Sequence, residues 1–308
     1  MRLVYLSGEH IPLARAEAIK SFGTKPTKTQ GRVLIFNSRK IPKNLAYTEY
    51  ILELFYFGNK KNFSDMTRKF NWNKKITGTY ALRALTHTQI PLNNIADIIW
   101  RQLKNPKVNL TKPQNTIGII AEGFNFFIGK ILWKNPKGFS KRRAHLREKN
   151  HPTSLCPKLA RACINLLDPV NSVMDPFCGT GGILLEAGLM GHKITGFDND
   201  KKMLKNCKKN LQQFRLKFRL TLRDARVPDK RYKYIVTDLP YGRNTKNVSK
   251  ELYETFLNSI THVKRAVVIF PDKKYIKLAK KFFLVEESFT YYIHKSLSKY
   301  VLLLKTRE

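Results

Sequence analysis

The sequence is poor in acidic residues and in cysteine, and it has no long apolar run. Only 22 of its 308 residues are Asp or Glu. No apolar stretch approaches the ~18 residues that a transmembrane helix needs, and the apolar part of the first segment is too short for a signal peptide. We therefore expect neither a membrane-spanning segment nor a secretion signal.

The four cysteines are Cys156, Cys163, Cys178 and Cys207. They form no CxxC pair, and no pair of histidines lies at ligand spacing beside them, so we predict no metal site. Such sparse cysteines favour a cytosolic protein with reduced thiols over a disulfide-linked secreted protein.

Basic residues are abundant, and 58 Lys and Arg give a formal net charge of +36. Residues 1–150 carry 28 basic and 8 acidic side chains, and residues 151–308 carry 30 and 14, so no detachable tail holds the charge. Codon bias towards Lys would also enrich Glu, yet there are only 12 Glu. A polyanion is the expected partner, because each neutralised phosphate releases counterions. An anionic membrane surface is the alternative, but we find no convincing basic amphipathic helix for it.

The chain is long enough for two domains. Short strands and helices mix in the first half, including a predicted hairpin of Ile117–Ala121 and Phe126–Leu132. A polar, basic segment follows at residues 134–150 and has the composition of a linker. We predict an N-terminal α+β region over residues 1–140, a linker over 141–153 and a second domain over 154–308.

The second half alternates strands and helices, which favours a doubly wound, mostly parallel sheet. Its last two predicted strands, Phe283–His294 and Tyr300–Lys305, follow one another directly. They predict an antiparallel hairpin at one edge of that sheet.

A glycine loop, DPFCGTGG at residues 175–182, joins the first strand of the second half to its helix. Its spacing matches neither the dinucleotide fingerprint nor the P-loop. The acid at the strand end precedes the glycines, an order that suits a ligand with a cationic amine. Asp198 ends the next predicted strand, where it is placed to bind ribose hydroxyls, and Asp224 ends the third. This pattern predicts S-adenosylmethionine as the ligand, and a tight turn with aspartates capping strand ends is the alternative.

The second motif, DLPYG at residues 238–242, ends the fourth predicted strand and resembles the Asp/Asn-Pro-Pro-Tyr loop of amino-methyltransferases. An exocyclic amine is a poor nucleophile because its lone pair is delocalised. A carboxylate on Asp238 and the carbonyl of Leu239 or Pro240 would accept its protons and aim that lone pair at the methyl group. Tyr241 would stack on the extruded base. Leu239 stands where the first proline usually lies, which predicts a less rigid loop.

Four segments together resemble the archaeal tRNA guanine-N2 methyltransferases that act on guanosine at tRNA position ten. They are residues 151–161 (HPTSLCPKLAR), 175–182, 186–191 (EAGLMG) and 238–243 (DLPYGR). The first half is similar to the THUMP-containing region of the same family, through residues 105–110 (NPKVNL), Pro113 and residues 139–147. The resemblance implies a Rossmann-like methyltransferase fold preceded by a THUMP-like domain at about residues 45–135 that grips the tRNA acceptor end.

The resemblance also defines an expected site. The catalytic set is Asp238, Leu239, Pro240 and Tyr241. The expected cofactor contacts are Ser154, Asp175, Phe177, Gly179, Gly181, Asp198, Asn199, Asp224 and Ala225. The expected RNA contacts are Lys141, Arg142, Arg143, Arg147 and Arg243. Ser154 could equally cap a helix, and the basic side chains at residues 141–147 could equally belong to a solvated linker.

Three other functions stay open at this stage. The nearest is a THUMP methyltransferase that acts on a guanosine of the tRNA acceptor stem, and a DNA amino-methyltransferase is the next. A non-catalytic tRNA-binding protein or RNA chaperone is the third, although it would not need Asp175, Asp198 and Asp224 together. The sequence leaves open one or two methylations, the oligomeric state and any accessory subunit.

Overall fold

A computed structural model of the chain describes residues 1–149, 154–227, 229–241, 250–294 and 297–307. The chain divides into two compact units. The first contains Met1–Lys43 and Tyr47–Asn135, and the second contains Asn44–Ala46 and Pro136–Glu308. Within the described residues, no helix is long and apolar enough to cross a membrane.

The N-terminal unit is a mixed sheet with helices on it. Its strands are β1 (Arg2–Leu6), β2 (Lys28–Gln30), β3 (Val33–Phe36), β4 (Thr48–Asn59), β5 (Thr79–Ala84), β6 (Lys107–Val108), β7 (Asn115–Glu122) and β8 (Asn125–Lys134). Its helices are α1 (Ile11–Phe22), α2 (Phe63–Lys69) and α3 (Leu92–Gln102). The strand order is β2-β3-β1-β4-β8-β7-β5-β6, antiparallel except where β5 pairs with β6 and β7.

Local sequence explains several of these elements. Helix α1 ends at Gly23, which takes the left-handed conformation at φ 73° and donates its N–H to the Ile19 carbonyl. Helix α3 places Ile95 and Ile99 on one face, because residues four apart share a face, and both pack in a core with Trp72. Gly123, at φ 57°, forms the turn between β7 and β8.

The second unit is an α/β sheet. Its strands are β9 (Ser172–Asp175), β10 (Lys193–Asp198), β11 (Phe218–Leu222), β12 (Tyr234–Asp238), β13 (Arg265–Phe270), β14 (Phe283–His294) and β15 (Leu297–Thr306). Its helices are α4 (Pro157–Leu167), α5 (Gly182–Leu189), α6 (Lys201–Gln213), α7 (Lys250–Ser259) and α8 (Tyr275–Phe282). The order is β11-β10-β9-β12-β13-β15-β14, parallel as far as β13 and antiparallel in β15 and β14. The predicted mostly parallel sheet is therefore confirmed.

The connections of this sheet create a crevice. From β9 the chain moves outward to β10 and β11, and it then returns to place β12 on the other side of β9. In open α/β sheets, ligands bind at the carboxyl ends of the two strands where the order reverses. Here those strands are β9 and β12, and their last residues are Asp175 and Asp238.

Candidate active site

The glycine loop follows β9 and leads into α5. Gly179 and Gly181 have φ values of 49° and 85°, a conformation that side chains other than glycine rarely adopt. A Cβ atom on Gly181 would lie 2.7 Å from the sulfur of Cys207, so the loop packs tightly on α6. A Cβ on Gly179 would meet no atom within 4 Å. Gly179 therefore exposes its backbone to open space, as a ligand cradle requires.

Asp175 is buried at the end of β9. Its Oδ1 accepts hydrogen bonds from the Phe177 N–H at 3.1 Å and from the Thr237 hydroxyl at 2.8 Å. Burial raises the pKa of this carboxyl to about 7, and the negative charges of Asp198 and Asp238 add to the rise. Thr237 lies directly before Asp238, so one hydrogen bond joins the glycine loop to the end of β12.

Asp198 ends β10 and holds the glycine loop from the other side. Its Oδ2 accepts the Gly179 N–H at 2.8 Å, and its Oδ1 accepts the Asp200 N–H at 2.9 Å. The exposed Asn199 also donates its backbone N–H to this carboxylate. Burial raises the pKa of Asp198. Two acidic side chains with raised pKa values, Asp175 and Asp198, thus flank one loop. A cationic ligand would stabilise the ionised form of both.

The remaining predicted cofactor residues differ in surroundings. Asp224 is partly exposed and pairs with Arg226 at 2.6 Å, a contact that lowers the pKa of its carboxyl. Ala225 is buried, and its carbonyl accepts the hydroxyl of Ser259. Phe177 packs edge-on against Phe256.

Ser154 has a hydroxyl 2.9 Å from that of Thr180, in the glycine loop. Helix α4 begins at Pro157 with Cys156 at its cap position, so Ser154 does not cap the helix. Its partner in the glycine loop favours the cofactor-pocket interpretation over the capping one.

These features fit the binding of S-adenosylmethionine. No contact among the described residues is incompatible with it. The open cradle at Gly179 would receive the methionine part of the molecule. Asp175 would offer a buried carboxylate to its ammonium group. Asp198, at the end of the adjacent strand β10, would meet its ribose hydroxyls. Within the described part of the chain, no group of three or more His, Cys, Asp or Glu side chains could hold a metal ion.

The first residues of the loop after β12 form hydrogen bonds with neighbouring elements. Leu239 is fully buried in the core of the second unit, and its N–H donates to the Ile269 carbonyl at 3.0 Å. Proline has no N–H and could not make this bond. The leucine therefore extends the pairing of β12 with β13 by a hydrogen bond that proline would lack, and the expectation of a less rigid loop stays a prediction. The Pro240 carbonyl accepts the hydroxyl of Tyr253 at 2.6 Å.

Asp238 forms an ion pair with Lys299, a residue that the sequence analysis did not single out. The Lys299 ammonium contacts Oδ2 of Asp238 and lies 4.5 Å from the centre of the Tyr241 ring. Burial raises the pKa of Asp238, and the charge of Lys299 opposes that rise. One available signal was that Lys299 directly precedes the apolar run YVLLL at residues 300–304.

Comparison with known proteins identifies the family of the chain. A family described as "RMKL-like, methyltransferase domain" matches residues 144–290. The tRNA (guanine(10)-N2)-dimethyltransferase of Pyrococcus abyssi is 33% identical over 276 residues, covering 84% of this chain and 84% of that protein. The enzyme of the same name from Methanothermobacter thermautotrophicus is 30% identical over 281 residues, covering 85% and 83%.

The chain belongs to the tRNA (guanine(10)-N2)-dimethyltransferase family. It is an S-adenosylmethionine-dependent methyltransferase, and the family resemblance inferred from its motifs is confirmed. A DNA methylase family also matches residues 24–209, so the chain belongs to that broader group of methyltransferases as well. That match ends at residue 209, so it does not include the loop at Asp238, where the methyl-accepting base is expected.

Solved structures agree on the fold of this methyltransferase. TrmN from Thermus thermophilus superposes with a TM-score of 0.54 at 18% identity, covering 99% of each chain. SMU.472, a putative methyltransferase complexed with SAH, superposes with a TM-score of 0.52 at 14% identity, covering 100% of this chain and 98% of that one. At these identities the likeness concerns the fold alone.

The basic segment predicted as a linker joins the methyltransferase unit. Arg142 forms two hydrogen bonds with the fully buried Glu186 of α5, the shorter at 2.6 Å, and Arg161 reaches the same carboxylate at 2.8 Å. Arg147 is buried, and its Nε donates to the Arg142 carbonyl. The sequence signal was Glu186 itself, a lone acid in the otherwise apolar helix GILLEAGL.

The predicted RNA contacts are therefore in different surroundings. Lys141 and Arg143 are exposed, whereas Arg142 and Arg147 face the interior of the unit. Arg243 and Gly242 lie outside the described residues, as do His151, Pro152 and Thr153 of the first family motif.

Cys178 is a buried, free cysteine in the glycine loop. Its thiol is buried beside Cys207, and that contact together with burial raises its pKa. A thiol with a raised pKa is a poor nucleophile, because the thiolate is the reactive form.

Proposed function

We propose that this methyltransferase modifies the exocyclic N2 of guanosine at position ten of tRNA and adds two methyl groups. The relatives named for this reaction span most of the chain. The observation that supports it most is Asp238, a buried carboxylate that ends the strand beside the glycine loop. The alternative of an acceptor-stem guanosine needs the same chemistry and differs only in which nucleotide reaches the pocket.

Asp238 would act on the amine edge of guanine. When bound, S-adenosylmethionine would supply a methyl group from its positively charged sulfur, with the carbon–sulfur bond breaking as the carbon–nitrogen bond forms. The Asp238 carboxylate would accept a hydrogen bond from N2–H, which draws the nitrogen lone pair out of the ring. Once the C–N bond has formed, it would take the one proton that the cationic nitrogen loses. The Leu239 carbonyl would accept the second N–H, since the Pro240 carbonyl already accepts the Tyr253 hydroxyl.

Two methylations are compatible with this arrangement. Guanine N2 has two protons, and the singly methylated amine still has one to give to Asp238. Tyr241, partly buried beside Lys299, would stack on the base in both rounds.

The N-terminal unit would select the nucleotide. We assign its THUMP-like domain to about residues 45–135 and propose that it grips the tRNA. Residues 1–150 have 28 basic and only 8 acidic side chains, and the exposed Lys141 and Arg143 would extend the phosphate contacts. Arg142 and Arg147 are better assigned to the structure of the methyltransferase unit.

Incubation of unmodified tRNA transcript with methyl-labelled S-adenosylmethionine tests the proposal. We expect mono- and then dimethylated guanosine, mapped by nuclease digestion and mass spectrometry to position ten. A transcript with adenosine at that position is the matched control and should take up no label. Label mapped to the acceptor stem would contradict the proposed target and support the alternative, and no label in any transcript would contradict the reaction.

A further inference from the structure

Lys299 is a buried cation that faces the target-amine loop. It lies on β15 with 2% of its surface exposed. Its ammonium contacts the Asp238 carboxylate and lies 4.5 Å from the centre of the Tyr241 ring. A buried ammonium is costly unless it is paired, so its position requires a partner on this loop.

The charges around Asp238 come from several elements. Lys299 on β15 is the one cation in contact with it among the described residues. The carboxyl group of Asp175 on β9 is close enough for the charge of Asp238 to raise its pKa. The same charge also raises the pKa of the Tyr253 hydroxyl on α7. Without Lys299, burial and the neighbouring carboxylate would both favour protonated Asp238.

We propose that Lys299 is the positioning residue of this methyltransferase: it keeps Asp238 ionised and fixes it together with Tyr241 for the incoming guanine. This inference rests on the proposed role of the loop at residues 238–241. An ionised Asp238 can accept a proton from N2, whereas a protonated one cannot. The same ammonium lies beside the Tyr241 ring through a cation–π contact, so the proton acceptor and the stacking side chain are held by one group.

A purely structural role for Lys299 would have a different signature. A structural lysine would lower the thermal stability of the protein when it is replaced, and the surviving enzyme would keep the same pH dependence. A lysine that controls the ionisation of Asp238 must alter the pH at which the enzyme becomes active.

The test is the pH profile of kcat/KM for Lys299→Met, with Lys299→Arg as the conservative variant. We expect the methionine variant to lose roughly 100-fold in activity at neutral pH, and the acid limb of its profile to move about one pH unit or more upward. The arginine variant should keep the acid limb of the native enzyme. Affinity for S-adenosylmethionine, measured by calorimetry, should stay within about threefold. A methionine variant whose profile superimposes on that of the native enzyme would overturn the proposal.

A double variant covers the case in which Lys299→Met does not fold. In Asp238→Asn/Lys299→Met both charges are gone, so no unpaired charge is buried. Compared with Asp238→Asn alone, at saturating S-adenosylmethionine, it should lose much less activity than Lys299→Met loses beside the native Asp238, because only the Tyr241 contact is removed. Its pH profile should lack the acid limb that Asp238 causes. An equal loss in both backgrounds would mean that Lys299 acts independently of Asp238, which would overturn the inference. The proposed function is tested separately by Asp238→Ala, since full activity there would contradict the loop's role whatever Lys299 does.

Discussion

The two sheets use their buried acidic side chains in different ways. In the N-terminal unit, the fully buried Glu17 of α1 accepts the backbone N–H of Tyr47 at 2.8 Å. In the methyltransferase unit, Asp175 and Asp238 lie at the carboxyl ends of adjacent strands with raised pKa values. A carboxylate that ties two segments together serves the fold, whereas carboxylates held with raised pKa values beside an open cradle serve a ligand.

A second contrast lies within the methyltransferase unit. Glu186 is fully buried, yet two arginines pair with it. Asp175 is equally buried, and no cation of the described residues forms an ion pair with it. The fold has therefore paired one acid with its own arginines, whereas the other would be available to a cationic group of the cofactor.

The largest effect is expected from Asp238→Ala, which removes the proposed proton acceptor. Activity should fall about 1,000-fold, since a positioned general base contributes at about this level. Affinities for tRNA and for S-adenosylmethionine should change little, because neither is bound chiefly by this side chain. Steady-state kinetics and calorimetry measure the two quantities. Activity within tenfold of the native enzyme would show that Asp238 has a structural role, like Glu17, and is not part of the active site.

Glu186→Gln should have the next largest effect, on stability. It leaves Arg142 and Arg161 buried without their counter-charge, which costs roughly 3 kcal/mol in the free energy of unfolding. Urea denaturation measures the loss. Glu148→Gln is the matched control, because Glu148 pairs with Lys209 at 3.5 Å on the surface and should change stability by less than about 0.5 kcal/mol. Equal effects would remove the distinction between a neutralised core acid and a surface acid.

The sequence predicted the methyltransferase sheet better than the N-terminal sheet, and strand β4 shows why. It spans 12 residues and lies between β1 and β8, yet no pattern indicated it. Its pairing with β8 shifts between Ile51 and Leu52 and again between Leu54 and Tyr56. Each irregularity interrupts the two-residue alternation on which strand prediction depends. The strands of the parallel sheet pair without such shifts, and β9, β10 and β12 each end at an aspartate, so they were visible.

The candidate site divides in the same way. Asp175, Asp198 and Asp238 could be placed because the carboxyl ends of parallel strands meet at one edge of a sheet. Lys299 could not, since it is 61 residues from Asp238 and meets it only because β15 pairs with β13, which lies next to β12. Arg142 and Arg147 lie in a run that reads as a basic linker. Arg142 pairs with Glu186, which is 44 residues away, and Arg147 donates to the Arg142 carbonyl, so no local pattern shows their burial.

An effect confined to the range below pH ~7 is expected when Asp175 is titrated. Its folded pKa of about 7 lies above its ordinary value of 3.8, so the ligand-free fold binds this proton more tightly than the unfolded chain does. Stability of the ligand-free protein should therefore fall as pH rises from about 4 to about 7 and then level off. Affinity for S-adenosylmethionine should show the opposite trend, falling by up to about tenfold per pH unit below pH ~7, because the protonated acid offers no charge to the ammonium.

Asp175→Asn separates these two trends. It should stabilise the ligand-free protein at pH 8, weaken cofactor binding and abolish the contribution of this acid to both pH dependences. Thermal unfolding and calorimetry across pH measure them. Native and variant proteins with parallel pH curves would show that Asp175 is not the group that meets the cofactor's charge.

The smallest effect is expected from Glu17→Gln, the same acid-to-amide exchange in the N-terminal unit. A glutamine oxygen can still accept the Tyr47 N–H, so the cost should be about 1 kcal/mol or less in the free energy of unfolding. Cofactor affinity and its pH dependence should be unchanged. Comparison of cofactor affinity between this variant and Asp175→Asn tests whether burial alone gives an acidic side chain a role in the site. If Glu17→Gln altered cofactor binding as strongly, the contrast between the sheets would fail; if it did not, the position at the strand ends, rather than burial, would be what turns a carboxylate into part of the site.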